Sequence, residues 1–316
     1  MIVLKDGFVK KFVIILKEGV LYMILNVSGR TDIVAFYSNW FMNRLKEGYV
    51  LVRNPYYKTL VSKIYFKDVD AIVFCTKNPI PILDKLDDIK IPFIFHVTLT
   101  PYKKDIEPNV PPKGLIINAI KKLSKKIGKD KLWIRYDPVF INDYYTVDYH
   151  IRNFDNMCKL LSGYANKIII SFLDMYQNVR YNMPYLRAKK LTDEDYEKIG
   201  TNFALSAKKY NMTVQTCAEK RNLKEYGFLV SDCVTKEIAK DLTKKDKFKK
   251  WTARGKCSCV SMVDIGEYNT CKHMCKYCYA NYDENAVFKN VREHDDLSPM
   301  LTGNVTQKDS IKERNN

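Results

Sequence analysis

Met23-Ile24-Leu25-Asn26-Val27 is a short apolar run that ends abruptly in the polar cluster Ser28-Gly29-Arg30-Thr31-Asp32. A segment with helical periodicity follows, from about Phe36 to Lys46. An apolar strand, a polar turn and an amphipathic helix in this order are the signature of a βα unit. The stretch therefore predicts one βα unit, and the fold depends on whether the unit recurs.

The pattern recurs five times downstream. The further apolar runs are residues 71–75, 93–99, 132–138, 167–172 and 213–217, and segments of helical character lie near 80–86, 115–127, 147–161 and 192–210. Six such units favour parallel strands joined by helical crossovers. We predict an α/β fold, a partial or permuted (β/α)6 TIM-like barrel with a C-terminal Cys-rich segment. Periodicity alone leaves an open doubly wound sheet as the alternative.

The composition divides the chain into four predicted regions. These are an N-terminal extension (1–22), the barrel domain (23–225), a Cys-rich iron-sulfur segment (226–303) and a polar tail (304–316). The boundary near 225 marks the point where the periodicity fades and cysteines accumulate.

The overall composition is that of a globular protein. Of the 316 residues, 46% are apolar and 28% are charged, which is enough apolar surface to offset chain ordering. The first 22 residues show no signal-peptide pattern, and no apolar run reaches the roughly 18 residues of a membrane span. We therefore expect a cytoplasmic protein without membrane association, in which the nine cysteines are thiols or metal ligands.

The net charge of +17 is the electrostatic footprint expected of a nucleic-acid binder. Lysine-rich runs such as residues 244–250 are suited to contacting phosphates. A solvated surface is the competing interpretation, and we weigh it ahead of nucleic-acid binding because charge runs are usually solvated faces.

Polar residues follow the predicted strands, at the carboxyl ends where active sites of parallel α/β folds gather. The candidate catalytic residues are Arg30, Asp32, Lys77, Arg135 and Glu219. The candidate cofactor-binding residues are Asn78, Thr98 and Ser171, with Tyr277 from the motif described next. For any one of them alone, a helix cap or a salt bridge is the alternative.

Three cysteines stand close together in Thr270-Cys271-Lys272-His273-Met274-Cys275-Lys276-Tyr277-Cys278-Tyr279-Ala280. Thiolates at Cys-x3-Cys-x2-Cys spacing are able to hold three irons of a cubane cluster and leave the fourth iron open. We predict that Cys271, Cys275 and Cys278 bind a 4Fe–4S cluster.

Four more cysteines, Cys217, Cys233, Cys257 and Cys259, precede this motif. Four thiolates are the usual complement of a structural zinc site or of a second cluster, so they form a possible second metal site. The alternative is that two or more of them bind no metal.

The three-cysteine motif, with Tyr277 before the last cysteine, resembles the signature of the radical S-adenosylmethionine superfamily. The resemblance implies that S-adenosylmethionine chelates the fourth iron and that reduction by a flavodoxin- or ferredoxin-type partner yields a 5'-deoxyadenosyl radical. It also implies a βα barrel of about six units. Two features depart from the pattern: the cysteines follow the sixth strand instead of the first, and a Gly-Gly-Glu tract is absent.

From about Met23 to Gly303 the chain more closely resembles the family known as domain of unknown function 1848. The shared motifs are residues 28–33, 36–37, 51–55, 76–79, 135–138, 216–219 and 264–271, the last running into Tyr279-Ala280. Gly29, Val34 and Cys75 stand where the family pattern commonly has Arg, Pro and Trp. The resemblance implies no specific reaction.

Two other function classes remain open. A zinc-stabilised nucleic-acid-binding module would use the same cysteines together with the basic surface. A hydrolase or sugar-acting enzyme would rely on Asp and Glu, but the chain has no nucleophile elbow and no phosphate-binding glycine loop. We favour the radical S-adenosylmethionine-type enzyme acting on an unknown substrate.

Overall fold

The computed structural model describes residues 22–219, 221–248 and 259–314. The strands are β1 (Met23–Val27), β2 (Tyr49–Arg53), β3 (Leu60–Tyr65), β4 (Val69–Thr76), β5 (Phe93–Thr98), β6 (Leu132–Val139), β7 (Lys167–Phe172), β8 (Thr213–Thr216), β9 (Met262–Asp264) and β10 (Ser310–Glu313). The helices are α1 (Ile33–Phe36), α2 (Ser38–Glu47), α3 (Lys113–Ile127), α4 (Val147–Leu161), α5 (Gln177–Tyr181), α6 (Met183–Leu186), α7 (Asp193–Lys209), α8 (Lys236–Thr243) and α9 (Glu284–Arg292). Within the described ranges, every helix is too short or too polar to cross a lipid bilayer.

Seven strands form one parallel sheet in the order β8-β7-β6-β5-β4-β1-β9. The six predicted strands are all present in it, so the predicted parallel α/β architecture is confirmed. From β1 to β8 the strands follow one another in one direction, without the reversal that defines a doubly wound sheet. Strands in a barrel are ordered in this way. No ladder joins β8 to β9 in the described residues, so closure of the barrel stays a prediction.

One face of the sheet, which we call the outer face, packs against helices that include α4 and α7. Alternate strand residues such as Phe74, Phe95 and Ile134 are fully buried there, because side chains along a strand point to opposite faces. The rings of Phe154 on α4 and Phe203 on α7 stack with centroids 3.8 Å apart. Burying each such side chain contributes about 1.5–3 kcal/mol, so this layer holds the scaffold together.

The opposite face, which we call the inner face, carries a second apolar cluster. Ile24, Val73 and Trp133 project from the strands and pack with Val234, Val260 and α8. Part of the predicted Cys-rich segment therefore covers the inside of the sheet, and β9 extends the sheet itself beside β1. The sequence did not indicate either contact, because a three-residue strand and an eight-residue helix carry too little periodicity.

A small second sheet lies beside the first. β2 and β3 pair antiparallel, and β10 pairs parallel to β3, so residues 310–313 of the predicted polar tail form a strand. Arg53 on β2 binds Asp309, with Nη2 2.9 Å from Oδ2.

The helix expected near 80–86 is instead two short 3-10 turns, Ile80–Ile82 and Leu86–Asp88, because Pro79 and Pro81 lack backbone N–H donors.

His150 on α4 is buried in the outer layer. Its Nε2 lies 2.8 Å from the carbonyl oxygen of Phe140 and its Nδ1 lies 3.0 Å from the hydroxyl of Tyr136. The carbonyl accepts from Nε2–H, so Nδ1 accepts from the tyrosine and the ring is neutral. Burial lowers the pKa of His150 to about 4, against the smaller opposing effect of the Phe140 hydrogen bond.

We expect the free energy of unfolding to fall as the pH drops from about 6.5 to about 4, because the unfolded chain protonates His150 where the folded protein does not. The loss from this residue is on the order of 3 kcal/mol. In His150→Gln that part of the pH dependence should vanish in urea titrations over this range. Equal slopes in the parent and in His150→Gln would contradict the assignment.

Candidate functional site

The cysteine loop, residues 270–280, lies at the carboxyl end of the parallel sheet. The hydroxyl of Tyr37, next to α1, donates to the carbonyl of Thr270 at 2.5 Å. Lys276 N donates at 2.9 Å to the carbonyl of Ile106, which follows β5. Asn182, between α5 and α6, donates at 2.7 Å to the carbonyl of Lys276. Three separate segments, which follow β1, β5 and β7, therefore hold the loop in place.

β9 brings the chain to this position. Asn26 of β1 is paired with Asp264 of β9, and the Asp264 carboxylate accepts from Arg30 Nε at 3.2 Å and from Gly266 N at 2.7 Å. It also accepts from Gly29 N. A Cβ atom at Gly29 would lie 2.8 Å from Asp264 Oδ2, so a larger residue here would displace the Asp264 side chain. The cysteine loop thus starts beside the end of β1.

Cys271 and Cys275 are buried, and Cys278 is partly buried. Burial is the main cause that raises the pKa of all three thiols, and for Cys271 the neighbouring Cys278 and Cys275 raise it further. Lys77 opposes the rise at Cys275. The motif cysteines therefore lie within electrostatic range of one another, and Lys77 and Lys113 are the cations near Cys275.

No three His, Cys, Asp or Glu side chains among residues 22–219, 221–248 and 259–314 converge on a point where they would share a single metal ion. A cubane cluster does not require such convergence, because each thiolate binds a different iron. The three thiols of this loop, two buried and one partly buried, are therefore compatible with a cluster.

His273 lies inside the cysteine loop, and the sequence analysis did not select it. Its Nε2 is 3.0 Å from Asp32 Oδ2, and its ring lies 4.5 Å from that of Phe36. The Asp32 carboxylate also accepts from Lys77 N at 2.7 Å and from Ala35 N at 2.9 Å. Asp32 therefore joins the ends of β1 and β4 to the cysteine loop. The position of His273 between two motif cysteines was the available signal.

Glu107 is a second residue that the sequence analysis missed. Its side chain is 1% exposed and accepts from Lys77 Nζ at 2.8 Å and from Thr100 Oγ1 at 2.6 Å. Lys113 Nζ and the hydroxyl of Tyr277 bind it as well. Burial would raise the pKa of Glu107, but the two lysines reverse the effect and lower it to about 2. Glu107 follows β5 in an irregular loop, so no periodicity pointed to it.

Arg135 lies in the middle of β6 on the inner face. Its Nε is 3.0 Å from Asp137 Oδ2, and the hydroxyl of Ser171 is 3.4 Å from the same oxygen. Thr98 of β5 is paired with Arg135 in the sheet register. Burial is the main cause that raises the pKa of Cys75, on β4, to about 12. Arg135 and Asp137 also shift this pKa, so both charges lie within electrostatic range of the Cys75 sulfur. The ends of β4, β5, β6 and β7 therefore share one charged region.

Glu219 follows β8 at the same edge. Its Oε1 accepts from Phe172 N at 2.8 Å. Burial, with smaller contributions from the charges of Asp174 and Asp137, raises the pKa of Glu219 to about 7 against the opposing effect of the Phe172 hydrogen bond. Asn78, by contrast, serves a turn: its backbone N donates to Thr76 Oγ1 at 2.9 Å and its Oδ1 accepts from Ile80 N at 3.2 Å.

Three of the four cysteines of the possible second site are close together. The sulfurs of Cys217 and Cys233 are 2.8 Å apart, and Arg135 Nη1 is 3.3 Å from Cys233. Val234 N donates to the sulfur of Cys259 at 3.4 Å. Cys257 lies outside the described residues, and the metal-binding role of the set stays a prediction.

We expect Glu107→Gln to lower the free energy of unfolding by about 3 kcal/mol, because the substitution leaves the largely buried Lys77 and the partly exposed Lys113 without their counter-charge. Urea titration at neutral pH measures the change. Glu194→Gln is the matched control: Glu194 pairs with Lys198 on the exposed side of α7, and its loss should cost under about 0.5 kcal/mol. A loss of similar size in the two variants would show that Glu107 does not anchor the loop.

The comparisons with known proteins give one match. No curated protein and no solved structure matches the chain. A family model described as a domain of unknown function, DUF1848, matches residues 24–280, which is most of the chain. The chain therefore belongs to the DUF1848 family.

Proposed function

We propose that the protein is a radical S-adenosylmethionine-type enzyme whose 4Fe–4S cluster is held by Cys271, Cys275 and Cys278. The observation that carries the proposal is the placement of the cysteine loop: it begins beside β1 and lies across the carboxyl end of the sheet. Radical enzymes of this type place their cysteines after the first strand. Here the pairing of β9 with β1 brings a loop from late in the chain to that same location.

The donor chemistry supports a cluster with one open iron. Two buried thiols and one partly buried thiol lie in one loop, and the fourth cysteine that a closed site requires is absent from residues 260–314. When bound, the cluster would supply the electron for reductive cleavage of S-adenosylmethionine, giving methionine and the 5'-deoxyadenosyl radical that abstracts hydrogen from the substrate. A flavodoxin- or ferredoxin-type protein would be the reductant.

The chain's own groups would hold and shield this site. Lys77 Nζ lies 5.3 Å from the centre of the Tyr277 ring and binds Glu107, so a buried cation stands next to Cys275 and opposes the charge of its thiolate. Arg30 is bound to Asp264, and Asp32 to His273, so these two residues position the loops around the cofactor. Arg135 and Glu219 are the charged groups assigned to the substrate side.

Two buried polar atoms on the inner face, one on β5 and one on β8, lack a hydrogen-bond partner from the described protein. His96 Nε2 and Gln215 Oε1 have no hydrogen-bond partner among the described residues. Buried polar atoms in native proteins are nearly always satisfied, by ordered water or a ligand where protein groups are lacking. The His96 ring rests on Trp133, with centroids 4.8 Å apart, which fixes where its free nitrogen points.

We expect anaerobic reconstitution with iron and sulfide to give a brown protein with about four irons per chain. Reduction in the presence of S-adenosylmethionine should release 5'-deoxyadenosine, measured by chromatography. Cys275→Ala should lose both the colour and the product, because the cluster then lacks one of its three thiolates. Cys158→Ala is the matched control: that thiol is buried in α4, away from the loop, and its removal should leave both readouts intact.

The same experiment tests the zinc-stabilised nucleic-acid-binding module. A colourless protein that holds stoichiometric zinc, and whose Cys275→Ala variant binds S-adenosylmethionine as well as the parent, would overturn the proposal.

A further inference from the structure

The segment 173–190, which contains α5 and α6, is fixed directly to the cysteine loop. Asn178 donates to the carbonyl of Cys278 and, at 3.3 Å, to that of Asn281. Asn182 donates at 2.7 Å to the carbonyl of Lys276. Two amide side chains thus hold this short helical pair at the rim of the proposed active site. We call residues 173–190 the rim segment.

The rim segment presents aromatic rings to solvent. Tyr181 is 87% exposed and Tyr185 is 64% exposed. Tyr176 is 41% exposed, and its ring lies 5.4 Å from that of Tyr279 in the cysteine loop. The ammonium of Lys276 lies 5.2 Å from the Tyr185 ring. The aromatic surface is therefore continuous between the rim segment and the cysteine loop.

The same segment is strongly basic. It carries four basic residues, all exposed, and a single acidic residue, Asp174; the basic residues are Arg180, Arg187, Lys189 and Lys190. Lys189 pairs with Asp143, while the other three have no ion-pair partner among the described residues. The whole chain has a net charge of +17, so the long-range field favours a polyanion.

We propose that the rim segment binds single-stranded nucleic acid and that the substrate of this enzyme is a nucleotide within such a strand. The inference that the substrate is a nucleotide rests on the proposed radical chemistry. The inference that a single strand binds rests on the rim segment alone. Solvent-exposed aromatic rings interspersed with arginine and lysine are the combination that binds single strands, because bases stack on the rings while the cations contact phosphates. A small metabolite would instead require an enclosed pocket that covers most of its surface.

Duplex nucleic acid fits the surface less well. In a duplex the faces of the bases are covered by their neighbours, so the tyrosines of the rim segment have nothing to stack on. The exposed rings therefore favour a single strand, DNA or RNA, over either duplex.

The test is fluorescence anisotropy with labelled homopolymers of about 12 nucleotides, dT and rU, and with a duplex of equal length. We expect the single strands to bind more tightly than the duplex, with an affinity that falls steeply between roughly 50 and 200 mM salt. Tyr181→Ala/Tyr185→Ala should weaken single-strand binding at least about tenfold. Arg180→Ala/Lys190→Ala should reduce the slope of log K against log salt by about 1.4, the value for two phosphate contacts.

Two control variants make the same chemical changes elsewhere. Tyr57→Ala removes an exposed tyrosine from the β2–β3 turn, and Lys122→Ala/Lys125→Ala removes two charges from α3. Both should bind as the parent does. The tighter of the two single strands identifies the polymer. Absent binding at low salt, tighter binding of the duplex, or equal losses in rim and control variants would each overturn the inference.

The two proposals fail separately. Release of 5'-deoxyadenosine without strand binding would refute the rim inference and leave the radical chemistry standing. Strand binding with the expected variant effects, in a protein that forms no cluster, would refute the radical chemistry and leave the rim surface standing.

Discussion

The site depends on a single buried carboxylate. Glu107 gathers Lys77 after β4, Thr100 after β5, Lys113 at the start of α3 and Tyr277 of the cysteine loop around two oxygens. Burying the Glu107 carboxylate without a cation would cost free energy, and Lys77 and Lys113 would also be destabilised without the carboxylate. The three charges are therefore stable only together, and their mutual requirement fixes the cysteine loop against the sheet.

The second constraint is topological. The cysteine loop follows the last strands in sequence, yet β9 pairs with β1, so the loop emerges beside the first βα turn. Asp264 completes the junction by accepting from Gly29 N and Arg30 in the β1 turn. A parallel sheet brings the carboxyl ends of all its strands to one edge, so the position of a loop in space is set by strand neighbours and not by sequence order. The permuted motif and a site at the usual edge are therefore compatible.

Much of the scaffold was readable from the sequence because it is repetitive. Strands such as 167–172 are continuous apolar runs and helices such as 147–161 have clear periodicity, and both were predicted with their observed bounds. β9 was not predicted, since three residues carry no pattern that differs from a loop. Glu107 and His273 were missed for a related reason: their importance lies in partners more than 100 residues away in the chain, Tyr277 and Asp32.

The structure brings several of the predicted polar residues to the carboxyl edge of the sheet, but their partners change what they are able to do. Arg30 and Asp32 are already bound to Asp264 and His273, so a ligand would have to compete with those contacts. Breaking a buried ion pair costs more free energy than a new contact at the surface contributes. Arg30 and Asp32 therefore support the architecture of the loops. Under the proposed nucleic-acid substrate, recognition would fall instead to exposed groups such as Arg180 and Tyr181 of α5 and Tyr185 of α6. The two proposals together assign the buried charges to holding the reactive site and the exposed rim segment to selecting the substrate.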